Sequence, residues 1–146
     1  MADSTITSAN ASYILTIASL YPSGVTLESF STDRAFLTDA VDMAEVMMGV
    51  DGKMTGGYVP NPVKQTVSLM ADSASRKYFN ALIAAERTQR EKYWLSGVIT
   101  LPSTGETYTL TRGLLTSGKI IPDAQKVLQP IDYVITWERI DWAPLS

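Results

Sequence analysis

The chain has 146 residues, 45% of them hydrophobic and 18% charged, with a formal net charge of −3 at pH 7, a composition typical of one globular domain with its own core. It contains no cysteine and no histidine, which excludes disulfides and thiolate chemistry and removes the commonest metal ligand and general base. No apolar run approaches the roughly 18 to 20 residues of a membrane span, and the slightly acidic charge lacks the basic footprint expected for binding duplex DNA.

The N-terminal residues are polar and rich in Ser and Thr, which predicts a flexible arm over residues 1–11. They carry no basic residue and no apolar run, so we expect no secretion signal and therefore assembly in a cytoplasm. Residues 12–20 and 25–31 are rich in β-branched and aromatic side chains and flank Tyr21-Pro22-Ser23-Gly24. Proline early and glycine late are typical of a tight turn, so a first β-hairpin is predicted here.

Residues 32–62 are predicted to form an extended loop with a projecting hairpin. An Asp51-Gly52 pair lies between short apolar stretches, and such pairs favour a type I′ turn because both central residues need positive φ. Gly56-Gly57 and Pro60-Asn61-Pro62 then interrupt the chain. The methionines of this segment would give a projecting arm an adaptable apolar surface that requires a partner. Spacing alone leaves it equally open that the hairpin folds back onto its own core.

A strand and then an amphipathic helix are predicted next. Apolar and polar side chains alternate in residues 63–70, which indicates a strand with one buried face and one polar face. Asp72 or the serine after it is placed to cap a helix over residues 74–93, where apolar residues recur at helical spacing. Glu86 lies four residues before Arg90, the favourable order for an ion pair on a helix surface.

The rest of the chain is predicted to be β-structure. Residues 94–101 and 107–112 flank a Pro-Ser-Thr-Gly-Glu sequence typical of a hairpin loop. Residues 114–129 have no regular period, and residues 131–141 are predicted to form the last strand. This order indicates a mostly β fold, an antiparallel β-sandwich or barrel with one flanking α-helix and a projecting β-hairpin arm, in a single domain over residues 1–146.

Motifs that point to an enzyme are weak in this sequence. Residues 113–119 have the glycine and lysine spacing of a phosphate-binding P-loop, but Ile120 stands where a magnesium-binding Ser or Thr is required, and Pro122 interrupts the helix that should follow. Carboxylates between Asp33 and Asp51 are close enough in sequence to form a catalytic pair, although aspartate is favoured in turns regardless of catalysis. We predict that the chain is not an enzyme and that it binds no metal or cofactor.

The order of these features resembles the tail tube proteins of contractile-tailed phages. The resemblance covers nearly the whole chain, from the polar arm and first hairpin to the closing strand that ends in Ile135-Thr136-Trp137-Glu138-Arg139-Ile140. Its most specific part is Val50-Asp51-Gly52-Lys53, followed by a strand and the helix after Ala71-Asp72-Ser73-Ala74. It implies a virion structural protein whose hexameric rings stack into a hollow tube inside a contractile sheath, with DNA passing through the lumen without specific binding.

The resemblance also implies roles for three groups of residues. The projecting hairpin would insert into a neighbouring subunit or ring through Met43, Met47, Met48, Asp51, Gly52 and Met54. Polar strand faces would line the lumen through Lys64, Thr66, Ser68, Thr107, Thr109 and Thr111. The helix would contact the sheath protein through Arg76, Arg87 and Arg90. Tape measure, baseplate and terminator proteins are the further partners that it implies.

Two other functions are compatible with the same sequence. The inner tube of a bacterial secretion or injection system would use the same ring-building fold without carrying a genome. A monomeric β-barrel binding module would instead hold a ligand in an internal pocket. The sequence alone distinguishes neither of these from a phage tube, and it does not determine the number of subunits in a ring.

Overall fold

The computed structural model of the chain describes residues 12–18, 20–27, 36–102 and 104–144. The predicted N-terminal arm, residues 1–11, lies outside them. The described residues form nine strands and one helix, which confirms the predicted mostly β fold class. In chain order these elements are β1 (Ser12–Ile17), β2 (Tyr21–Thr26), β3 (Phe36–Thr38), β4 (Ala44–Met48), β5 (Met54–Tyr58), β6 (Val63–Leu69), α1 (Arg76–Gln89), β7 (Leu95–Leu101), β8 (Glu106–Ser117) and β9 (Ile131–Pro144).

Seven of these strands form one antiparallel sheet in the order β2-β1-β7-β8-β9-β6-β3. The sheet curls, so that strands near its two edges meet across the core. The Tyr13 hydroxyl of β1 donates a hydrogen bond of 2.6 Å to Oε1 of Gln65 in β6. The Tyr13 ring also packs edge-on against Phe36 of β3, with 5.6 Å between the ring centroids. The result is an open, sandwich-like sheet whose concave face surrounds the core.

The core lies between this concave face and the helix. Along β9, Tyr133, Ile135 and Trp137 are fully buried, because alternate residues of a strand point to the same face of the sheet. Phe79 of α1 stacks on Tyr133 with 4.3 Å between ring centroids. Burying one such side chain stabilises a fold by about 1.5–3 kcal/mol, so the helix is held on the sheet mainly by its apolar face.

A buried glutamine lies inside this apolar core. Gln65 of β6 is 1% exposed, and its Oε1 accepts hydrogen bonds from the Tyr13 hydroxyl and from Nε1 of Trp137, the latter at 3.3 Å. Its Nε2 donates to Oγ1 of Thr38 at 3.1 Å. Burial raises the pKa of Tyr13 well above its ordinary value, so its phenol remains a hydrogen-bond donor at neutral pH. The alternation of residues along β6 predicts which face of the strand is buried. It does not predict that the buried Gln65 side chain links β6 to β1, β9 and β3.

The helix is shorter than the predicted 74–93. It begins at Arg76 and ends at Gln89, and Arg90 at its C-cap has φ 57°, in the left-handed region. This turn moves Arg90 out of helical register, so the predicted ion pair with Glu86 does not form. Glu86 is buried and instead accepts hydrogen bonds from Nζ of Lys92 at 2.8 Å and from the Tyr93 amide at 2.9 Å.

The first hairpin forms, but its turn lies earlier than predicted. Strand β2 begins at Tyr21, and the register with β1 shifts between the pairs Leu15–Val25 and Ile17–Tyr21. The Pro-Ser-Gly sequence is therefore a bulge within β2, where Gly24 supplies φ 89°. Glycine allows such a kink without ending the strand.

The long strands β8 and β9 extend well beyond their predicted limits. The segment with P-loop-like spacing starts inside β8, where the close approach of Gly113 to Trp137 requires glycine. A Cβ atom at position 113 would lie 2.7 Å from Cζ3 of Trp137. This segment is therefore a packed strand, and the phosphate-binding interpretation of it is excluded because no helix follows it.

Candidate assembly surfaces

The predicted hairpin arm is a separate two-stranded sheet made of β4 and β5. All ten residues of these two strands are exposed, so the hairpin does not fold back onto the core. The base of the arm is fixed by two hydrogen bonds. The Val59 amide donates to the Met43 carbonyl at 2.9 Å, and Nδ2 of Asn61 donates to the Asp42 carbonyl at 2.7 Å.

The two faces of the arm differ in polarity. The register pairs Ala44 with Tyr58, Val46 with Gly56 and Met48 with Met54, and the side chains of these pairs share one face because strand residues alternate. The face that they form carries no charged group. The opposite face carries Glu45, Met47 and Thr55. The arm therefore presents one uncharged face, which is apolar except for the Tyr58 hydroxyl, and one mixed face, on which Met47 is 71% exposed.

The tip of the arm is a hairpin loop, although it is not the predicted type I′ turn. Gly52 has φ 85°, whereas Asp51 is not among the described residues with positive φ. The Gly52 amide donates to the Gly49 carbonyl at 3.0 Å, and the Asp51 carboxylate accepts from the Lys53 amide at 3.1 Å. This is a turn followed by a left-handed glycine, the arrangement of a G1 bulge.

The residues predicted to face a lumen lie together on the convex, outer face of the seven-stranded sheet. Thr107, Thr109 and Thr111 of β8 alternate with core residues, as Lys64 and Thr66 of β6 do. Strand β9 lies between β8 and β6, so the two groups belong to one continuous surface.

Ser68 departs from the lumen prediction because its side chain is not accessible. It is 1% exposed and donates a hydrogen bond to Oδ1 of Asp132 on the neighbouring strand β9. The alternation of polar residues along β6 correctly predicts the face of the sheet on which Ser68 lies. It does not predict that both faces of β6 are buried at this end of the strand, where Val67, Ser68 and Leu69 are all inaccessible.

The three arginines predicted to contact a sheath are not equivalent. Arg87 and Arg90 are exposed near the end of the helix. Arg76 is partly buried, and its guanidinium donates hydrogen bonds to the carbonyl oxygens of Ala71 and of Ile120, the latter at 3.1 Å. Arg76 therefore ties the start of the helix to the loop after β8, which leaves Arg87 and Arg90 as the accessible pair.

A second exposed apolar surface lies in the segment between β8 and β9, for which the sequence pattern predicts only irregular structure. This segment is interrupted by Gly118, Pro122 and Pro130. The apolar residues between these breaks are the sequence feature that could have revealed the exposed surface. We call residues 118–130 the platform loop. Its exposed apolar residues are Ile120, Ile121, Val127 and Leu128.

A polar cluster ties the β7–β8 turn to the end of β9. The Glu106 carboxylate accepts hydrogen bonds from Nε1 of Trp142 at 2.7 Å and from the Tyr108 hydroxyl at 2.9 Å. Hydrogen bonds from Thr104, Tyr108 and Trp142 lower the pKa of Glu106 below its usual value. Protonation of this carboxylate therefore weakens the cluster.

Other kinds of site are less developed in the described part of the chain. A largely apolar cavity of about 310 Å³ opens beside Phe36, Ile99 and Leu110. In the described part of the chain, no group of three or more acidic side chains is placed to hold a metal ion. Among the described residues, no helix is both long and apolar enough to cross a membrane.

Comparison with known families identifies the relatives of the chain. Residues 4–141 match the model of a family described as tail fiber protein gp32. The chain belongs to this family. Because the match spans most of the sequence, the curled sheet, the helix and the arm are all features of this tail fiber protein gp32 family member. Among curated protein sequences, none matches the chain significantly.

Solved structures share the fold at low sequence identity. A chain of the anti-feeding prophage baseplate has a TM-score of 0.62 at 9% identity, over 100% of this chain and 99% of that one. A chain of the sheath–tube complex of an extracellular contractile injection system, called PVC, has a TM-score of 0.55 at 13% identity, over 91% and 88%. A chain of the anti-feeding prophage cap, which terminates its tube, has a TM-score of 0.53 at 16% identity, over 99% and 94%. The fold is therefore one found in contractile injection machines.

Proposed function

We propose that the chain is an inner-tube subunit of a contractile tail, which forms stacked hexameric rings around a conduit for DNA. The observation that carries this proposal is the arm, whose strands β4 and β5 are exposed throughout and whose one face is uncharged and mostly apolar. An isolated two-stranded hairpin is marginally stable in water. A contiguous apolar surface of this kind is typical of an interface, so the arm is suited to contact a neighbouring subunit.

The ends of the seven-stranded sheet support ring formation. Among the strands that the structure describes, β2 and β3 are the two edges of this sheet, and edge strands favour pairing with another chain. In a ring, β2 of one subunit would lie beside β3 of the next. Sheets joined in this way would form a closed inner barrel with no remaining edge.

The outer face of the sheet is suited to line the lumen of such a barrel. Its exposed hydroxyl groups, such as that of Thr109, would hold water while offering no strong site for phosphate. The net charge of −3 further disfavours tight DNA binding. A wall of this kind would let DNA slide during ejection, and no catalytic role is proposed for it.

The proposed location is the tail tube of a virion, assembled in the cytoplasm of a host bacterium. Arg87 and Arg90 would contact the sheath, because they are the accessible basic residues at the end of the helix. Tape measure, baseplate and terminator proteins would meet the two ends of the tube.

A position in a tail fibre is the second candidate, because the description of the matching family names a tail fiber protein. The arm would then bind a different tail protein instead of another copy of this chain. The inner tube of a secretion or injection system is a close variant of the first proposal, and the cavity beside Phe36 is the feature that a monomeric binding module would use.

Negative-stain electron microscopy of the full chain over a concentration series tests the proposal. Rings or hollow tubes are the expected result. The matched variant lacks residues 47–54 and should stay folded by circular dichroism while forming no stacked rings. Dispersed monomers of the unaltered chain at every concentration would contradict self-assembly and favour the fibre or binding-module alternatives.

A further inference from the structure

Two exposed apolar surfaces lie at opposite ends of the same pair of strands. The arm leads into Val63 at the start of β6, and the platform loop leads into Ile131 at the start of β9. In the antiparallel pairing, Ile131 lies opposite Leu69, the last residue of β6. The bases of the two surfaces are therefore separated by the length of this seven-residue strand, about 20 Å.

The platform loop is held in shape by its own polar contacts. The Gln129 amide donates to the Asp123 carbonyl at 2.9 Å, and the Gln125 amide donates to the Val127 carbonyl at 3.2 Å. Nζ of Lys119 lies 2.8 Å from the Asp123 carboxylate. Arg76 adds a hydrogen bond from the helix to the Ile120 carbonyl. These contacts hold the loop together while Ile121 stays 76% exposed, so the loop is a formed surface that presents apolar side chains.

The charges of the two surfaces are complementary. Glu45 is the charged residue of the two arm strands, and it stands opposite Gly57, which has no side chain. In the platform loop, Lys119 and Asp123 neutralise each other, which leaves Lys126 as the uncompensated charge. Neither Glu45 nor Lys126 forms an ion pair within the described residues.

We infer that the arm of one copy binds the platform loop of a second copy, stacked on it head to tail. The occupant is this same chain, because at opposite ends it carries an arm whose mixed face bears Glu45 beside Met47 and a platform loop that bears Lys126 beside Val127. A head-to-tail contact joins different surfaces of the two copies, so a pair keeps one free arm and one free platform loop, through which further copies can add in the same way. The inference rests on the proposed role of the arm as an interface, and it identifies the surface that receives the arm.

Cysteine crosslinking of the full chain tests this pairing directly, because the natural sequence contains no cysteine. Met47→Cys, enlarged with a mass tag, is mixed with Val127→Cys and treated with a short bis-maleimide. The expected product is the mixed dimer, at least about fivefold more abundant than either homodimer. A single chain with both substitutions should give a ladder of dimers, trimers and larger products. Glu91→Cys, exposed beyond the far end of the helix, replaces Met47→Cys in the control and should give little product with Val127→Cys.

A charge exchange provides the second test. Glu45→Lys and Lys126→Glu should each raise the concentration needed for assembly by about threefold, in line with exposed ion pairs. The double variant, with both charges exchanged, should return this concentration to within about twofold of the unaltered chain. Two additive losses with no rescue would overturn the pairing of these residues.

The outcomes separate this inference from the proposed function. Rings or tubes in the electron microscope, together with mainly arm-to-arm crosslinks or none, would overturn the inference and leave the tube proposal standing. Mixed dimers without any rings would support the head-to-tail contact and contradict ring formation. Absence of both assemblies and crosslinks at high concentration would overturn both.

Discussion

The seven-stranded sheet and the arm are both antiparallel β-structure, yet their side chains lie in opposite environments. In β9 of the sheet, Ile135 and Trp137 are fully buried. In β4 of the arm, Val46 and Met48 are mostly exposed although they are just as apolar. The difference shows that apolar composition does not decide whether a strand stabilises its own chain. What decides it is whether the fold brings a second layer against that face.

If this contrast is correct, the largest loss of folding stability will come from the sheet. Trp137→Ala should lower the free energy of unfolding by about 3–5 kcal/mol, since it removes a fully buried ring and leaves a cavity. Urea denaturation followed by circular dichroism measures this change. Trp142→Ala is the matched control at an exposed position, and a loss as large as that of Trp137→Ala would contradict the assignment of the core.

The buried hydrogen bonds of the sheet should give the next largest effect. Gln65→Leu removes the acceptor of the Tyr13 hydroxyl and of the Trp137 indole, and leaving buried donors unpaired costs about 1–3 kcal/mol. Lys64→Leu, at the adjacent exposed position, should change stability by no more than about 0.5 kcal/mol. Equal effects of the two substitutions in the same denaturation assay would show that the Gln65 network does not stabilise the fold.

The arm should behave in the opposite way, with little effect on stability and a large effect on assembly. Val46→Ser combined with Met48→Ser should change the unfolding free energy by about 0.5 kcal/mol or less per substitution, because both positions are exposed. Rings and tubes should disappear in the electron microscope. The control, Val46→Ile with Met48→Leu, keeps the apolar face and should still assemble. Loss of folding in the serine variant would mean that the arm belongs to the core.

The smallest effect is expected at the Glu106 cluster, which lies near the exposed end of the sheet. Because hydrogen bonding lowers the pKa of Glu106 in the folded chain, its stabilising effect is complete above the unfolded pKa and is lost as pH falls through the folded value. Glu106→Gln should therefore lower the melting temperature slightly near neutral pH. The difference from the unaltered chain should vanish in acid, and a difference that grows in acid would contradict this sign.

Local sequence patterns were sufficient for much of the fold. The alternation of Tyr133, Ile135 and Trp137 predicts a half-buried last strand, and Asp51-Gly52 predicts the position of the arm. Both depend on contacts between near neighbours in the chain, and a turn or a strand face is largely a local property. The same is true of the helix, whose apolar spacing is correct even though its ends are not.

Contacts between distant parts of the chain decided the rest. Pro22 lies in a bulge because β1 continues to pair beyond it, and Gln65 is buried because β1 curls across to meet β6. Arg76 is held by a loop carbonyl 44 positions later in the chain, so its charge is not free on the surface as Arg87 and Arg90 are. The sequence does not show that the apolar residues of the platform loop are exposed or that the loop lies at the opposite end of the β6–β9 pair from the arm. The sequence by itself determined which segments are strands, helix and turns. Only the tertiary structure decided which apolar faces are covered and which remain for a partner, because covering a face requires a second element brought from elsewhere in the chain.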